Sequence, residues 1–141
     1  MPISFLIFYT RRPDVSPANF RSYMEEKHVP LLKEIFKTHL PLSYTLQYPA
    51  RVDSGAGDRL GAVTSSRGRA DPDAPVVIVG SPSNIDWDCV GEMTFRDELH
   101  VQQCWAAMDG PEGQRAKEDE ENFTVPERLR VVLMGESTVL M

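Results

Sequence analysis

Ile3-Ser4-Phe5-Leu6-Ile7-Phe8-Tyr9 is the stretch whose reading decides the fold. Ile3, Phe5, Ile7 and Tyr9 fall on one alternating face and Leu6 and Phe8 on the other, the pattern of a strand covered on both sides. A short domain covers one sheet face with its own helices and needs a partner subunit for the other, so this strand predicts a homodimer. The segment has an apolar centre but neither a basic leader nor a small-residue cleavage site, which makes it a strand and not a signal peptide.

Working outward, Arg11-Arg12-Pro13-Asp14 is a turn, and a helix start follows. Ser16 is its N-cap, Pro17 its first residue, and Val15 with Phe20 the two halves of a hydrophobic staple. Phe20, Tyr23 and Met24 form an apolar stripe. Pro30 disfavours helical geometry at Val29, so the helix should end near His28 and a second short helix should carry Leu31, Leu32, Ile35 and Phe36. Residues 43–48 alternate as a half-buried strand with Tyr44, Leu46 and Tyr48 on one face. Residues 51–75, rich in Gly and Pro, have no period and form a long loop: either a tolerated insertion or a lid. Val76-Val77-Ile78-Val79 suggests a short buried strand, and Cys89–Phe95 another. Asp97 caps a helix with an inner stripe of Val101, Cys104, Trp105 and Met108. Asp109-Gly110 stops it, and Pro111 opens a further helix ending in Glu118-Asp119-Glu120-Glu121, an acidic run assigned to a solvated face. A strand over residues 129–134 closes the chain. Two strand–helix–strand halves predict an α+β fold: a ferredoxin-like four-stranded antiparallel sheet with helices on one face, in one domain over residues 1–141. The bare sheet face is closed by pairing two such sheets into a barrel.

Composition narrows the function classes. With 141 residues the chain has the size of one domain. Lys+Arg 15 against Asp+Glu 21 gives a net charge of −6, which argues against nucleic acid and anionic membrane as partners. Hydrophobic residues at 41% exceed what a disordered chain carries, and no apolar run approaches the ~20 residues of a membrane span. Cys89 and Cys104 make neither a disulfide framework nor a metal-ligand spacing, which points to a reduced, cytoplasmic protein. His28, His39 and His100 also lack ligand spacing, so no metal is expected.

No single motif carries chemistry, but His28 stands out. It follows the buried stripe by one turn, near a helix C-terminus that would favour the imidazolium, beside an apolar pocket that would oppose it. The alternatives are a histidine poised for proton transfer and one that caps helix carbonyls. Tyr9, Tyr23, Tyr44 and Tyr48 supply phenols beside Phe5, Phe20, Phe95, Trp87 and Trp105; these rings either wall a cavity for a flat phenolic ligand or simply fill the core. Glu92 is out of phase with Met93 and Phe95 and should face away from the helices.

Three segments together resemble the EthD-domain family, especially its fungal branch, within the dimeric α+β barrel superfamily. They are residues 8–13 with 16–20 and His28-Val29-Pro30-Leu31; Leu40-Pro41-Leu42-Ser43 leading to Tyr48; and Asp86–Phe95 with the acidic helix, Asn122-Phe123 and the closing strand. The resemblance covers nearly everything outside residues 51–75. It implies a barrel of two subunits, and a superfamily that includes cofactor-free cyclases, lactone isomerases, anthrone-type monooxygenases, decarboxylases and haem proteins. By position it implies a ligand wall of Phe5, Ile7, Tyr9, Tyr23, Met24, His28, Tyr48, Gly91, Met93, Phe95 and Trp105. A lactone-isomerising relative matches His28 but has cysteine where this chain has Met93. The expectation is a cofactor-independent lyase or cyclase on an aromatic polyketide-type substrate, with His28 moving the proton and Tyr9 or Tyr48 holding the enolate oxygen. The alternatives are a cofactor-free anthrone-type monooxygenase and a non-catalytic binding protein.

Overall fold

The structure is a computed structural model that describes residues 2–141. Its four strands, β1 (Ile3–Tyr9), β2 (Ser43–Gln47), β3 (Cys89–Phe95) and β4 (Arg130–Leu133), form one antiparallel sheet in the order β2-β3-β1-β4. β1 pairs along its whole length with β3, from Ile3 opposite Phe95 to Tyr9 opposite Cys89, and with β4 from Phe5 opposite Leu133 to Phe8 opposite Arg130. β2 borders β3, with Tyr44 opposite Met93. This is the ferredoxin-like layout expected from the order of elements.

On one face lie α1 (Pro17–Tyr23), α2 (Val29–Phe36), α4 (Glu98–Asp109) and α5 (Pro111–Glu120), while a short helix α3 (Ala56–Arg59) sits within the excursion between β2 and β3. Ser16 caps α1 by accepting from the Asn19 N–H, and Asp97 caps α4 by accepting from the His100 N–H. Between sheet and helices Phe20, Met24, Phe95 and Phe123 are fully buried, and among the described residues no helix packs on the opposite face of the sheet.

Three expectations are corrected. The helix does not break at His28: α1 runs through a π-helical turn, Met24–His28, straight into α2, with the Val29 N–H donating to the Met24 carbonyl. The wider turn accommodates Pro30, and burial of Met24, His28, Leu32 and Ile35 along one face outweighs the backbone preference of Val29. Residues 76–79 form no strand, and Val79 is 91% exposed; with β1 already flanked by β3 and β4, no interior slot is left for them. Residues 51–75 are a folded excursion built on buried Val52, Ala62 and Ser65. None of them reaches the cavity beside His28, so this segment is no lid over it.

Candidate active site: a histidine–aspartate pair in an apolar cavity

The π turn aims His28 inward, where it is completely buried. Its Nδ1–H donates to Asp119 Oδ2 at 2.9 Å. Asp119 is held in turn by the Tyr23 hydroxyl, which donates to Oδ1 at 2.6 Å, and Asn122 Nδ2 donates to that hydroxyl at 3.1 Å. Phe123 packs on both rings, 5.2 Å from His28 and 4.5 Å from Tyr23. With Nδ1–H committed to a carboxylate, the tautomer is set and Nε2 carries the lone pair. That nitrogen is buried with no protein partner and His28 lines a cavity of about 220 Å³. Burial pulls the imidazole below its ordinary range while the Asp119 bond and charge push the other way. The helix-end effect expected from the sequence does not apply, because the helix continues past His28.

The cavity lies between the sheet and α2, α4 and α5 and is walled by Ile7, Leu32, Phe36, Met93, Trp105 and Met108. Tyr9, His28 and Glu120 contribute its inner polar groups, with Asp109 and Lys117 also on its lining. The Tyr9 hydroxyl bonds the Tyr44 hydroxyl at 2.7 Å, and burial raises both phenols, keeping them protonated donors. Burial likewise raises Glu120, to about 7, and pushes the thiols of Cys89 and Cys104 up to about 12 and about 11, so neither is poised as a thiolate.

The structure brings together Ile7, Tyr9, His28, Met93 and Trp105 from the residues singled out in the sequence. Others fall elsewhere. Phe5 packs 4.9 Å from Trp105 and 5.9 Å from Phe95, behind the wall. Met24 is fully buried in the core, and Tyr23 acts at one remove through Asp119. Gly91 is covered by Tyr44, whose ring would meet a Cβ there at 2.9 Å. Tyr48 is the clear correction: it lies just past the end of β2, edge-on to Phe20 at 6.4 Å and under the Arg21 guanidinium at 4.7 Å, outside the cavity. Tyr44, four residues earlier on β2, takes the place beside Tyr9. Glu92 is exposed and faces away from the helices as expected.

Asp119 and Glu120 were missed, since the acidic run reads as a solvated face. A signal was present: Gly113, Ala116 and Glu120 follow helical spacing and are the buried residues of α5, so Glu120 lies on the inner stripe and Asp119 beside it.

Residues 12–127 match the EthD domain family. No curated protein matches the chain. Similar solved structures include an ethyl tert-butyl ether D (EthD) family protein from Bacillus halodurans, 19% identical over 97% of this chain and 100% of that one with a TM-score of 0.54. An EthD-like protein from Ralstonia eutropha is 16% identical over 94% and 87%, TM-score 0.51. SnoaB, a cofactor-independent oxygenase from Streptomyces nogalater, is 12% identical over 99% and 96%, TM-score 0.50. At these identities the structural likeness bears on the fold. With the family match running from the turn after β1 to the approach to β4, the chain belongs to the EthD domain family.

Proposed function

We propose that the protein is a cofactor-independent enzyme that removes a proton from an aromatic, enolisable substrate and lets the resulting carbanion react with O₂, an anthrone-type monooxygenation. The observation that carries this reading is His28, which lines an apolar cavity with its Nδ1–H tied to Asp119 and its buried Nε2 left without a protein partner. A neutral, oriented imidazole in such a place is a general base. Tyr9, supported by Tyr44, donates to the substrate oxygen on which the negative charge settles, in surroundings dry enough for that bond to count. The stoichiometry closes without a cofactor: a ring CH₂ and O₂ become a carbonyl and water. The cofactor-independent oxygenase activity of SnoaB, together with the shared fold, supports oxygenation over the lyase chemistry expected from the sequence.

The same phenol pair would hold the enolate left by loss of CO₂ from an aromatic β-keto acid, so a decarboxylase or dehydrating cyclase is the second reading. A substrate from aromatic polyketide tailoring, the setting implied by the fungal branch of the family, fits either. The bare sheet face belongs to the proposal as the surface on which two copies close a barrel.

Anthrone is the probe. The wild type is expected to consume one O₂ per quinone formed, and His28→Gln to lower kcat/KM by about 10²–10⁴-fold. CO₂ release from a β-keto acid in a sealed anaerobic tube, without oxygen uptake on any probe, moves the assignment to a lyase. Quenching of Trp105 by the ligand without turnover makes the protein a carrier.

A further inference from the structure

Glu120 is the buried carboxyl of the cavity, and the scheme above leaves it idle. It is 8% exposed and lies on the inner stripe of α5. Among the described residues its carboxyl makes no ion pair or hydrogen bond, whereas its backbone carbonyl accepts from the Phe123 N–H and from the Thr124 N–H and hydroxyl. A buried carboxyl without a partner opposes folding when charged, and the sheet and α4 offer it no guanidinium. Sharing the cavity wall with it are Tyr9 from β1, His28 from the π turn, Cys104 and Asp109 from α4, and Lys117 on its own helix, while Leu129 and Val131 close the side toward β4; the charges of Asp119 and Lys117 beside it in α5 act on it in opposite senses. Such a group holds its proton near neutrality, in the opposite state to His28 across the same space.

We propose that Glu120 is a second catalytic residue, the acid that protonates the departing oxygen while His28 takes the proton from carbon. The inference rests on the oxygenase reading. His28 Nε2 accepts the first C–H proton, and the electron pair stays on carbon. The carbanion passes one electron to O₂, and the radical pair combines into a C–O bond, giving a peroxide anion that recovers the proton from His28. His28 then removes the second C–H proton as the C=O bond forms and the O–O bond breaks. Glu120 gives its proton to the leaving hydroxide, which departs as water, and the His28 imidazolium restores the acid.

The test separates the two groups. Anthrone in D₂O under nitrogen reports His28 alone, through hydrogen exchange at the methylene above the buffer background; in air it reports the full cycle. Glu120→Gln is expected to keep the exchange step within about 2-fold and to lose about 100-fold or more in turnover. Wild-type turnover should also fall as pH rises through about 7, a limb absent from the variant. Equal loss of exchange and turnover in the variant, or wild-type turnover by it, overturns the role of Glu120. A wild-type pH profile without that limb does so even if the variant does not fold. A wild type that neither exchanges nor oxidises anthrone overturns the oxygenase reading and this inference with it.

Discussion

Glu120 and His28 carry opposite perturbations, and each leaves a signature in stability. Burial lifts Glu120 from 4.5 to about 7. Between those values the folded chain binds more protons than the unfolded one, so its contribution is intact below about 4.5 and is lost as pH rises through 7. Burial lowers His28 below its ordinary 6.5, so its contribution is present above that value and fades as pH falls. Glu120→Gln removes the first effect. Urea unfolding should show the variant more stable than the wild type at pH 8, by up to about 3 kcal/mol, and nearly equal to it at pH 5; a pH-independent difference would mean that the carboxyl is solvated. Of these two residues the sequence singled out only His28, because an imidazole on an apolar stripe is conspicuous. A glutamate inside the run Glu118–Glu121 is camouflaged by its charged neighbours.

At the scale of elements, the π turn and the α4–α5 hairpin set the cavity. The π turn holds His28 in line with Asp119 across the gap between the first helix and α5. α5 can lie that close to α4 because Gly113 packs onto the Met108 backbone, where a Cβ would overlap the Met108 carbonyl. Gly113→Ala should therefore push the two helices apart, destabilise the protein by about 3 kcal/mol or more, and lengthen the His28–Asp119 contact. Thermal unfolding together with the histidine resonances in NMR would check both effects, and a variant as stable as the wild type would contradict the packing. The sequence showed the stop at Asp109-Gly110 and both N-caps, Ser16 and Asp97, which depend on local hydrogen bonding. It did not show the π turn, because the backbone preference before Pro30 is local and burial on both sides of it is not. The apolar run 76–79 failed for the same reason: β-branched residues make a strand only where the chain's path carries them to a sheet edge, and these residues lie in the excursion between β2 and β3.

For the molecule as a whole, the proposed pairing of two copies turns on the sheet's outer face. Leu6, Phe8, Val90 and Val132 present apolar side chains there, ringed by Thr45, Gln47, Glu92 and Arg130. Arg130 lies 5.4 Å over the Phe8 ring, and no helix among the described residues is seen to cover the patch. A two-fold contact places each substitution in the interface twice, so Leu6→Glu should weaken a dimer at least about 10-fold, a shift that sedimentation velocity resolves. A wild type that sediments as a monomer would remove the barrel from the proposal.

The order of elements along the chain, the capping residues and the two-sided first strand follow from alternation, helical spacing and turn chemistry, all of which act within a few residues. The sequence therefore determined the α+β architecture and pointed at His28 and Tyr9. Folding decided the partners: Asp119 comes to His28 from 91 positions away and Tyr44 to Tyr9 from 35. Such pairings depend on which helix faces meet over the sheet, and local periodicity carries no record of that.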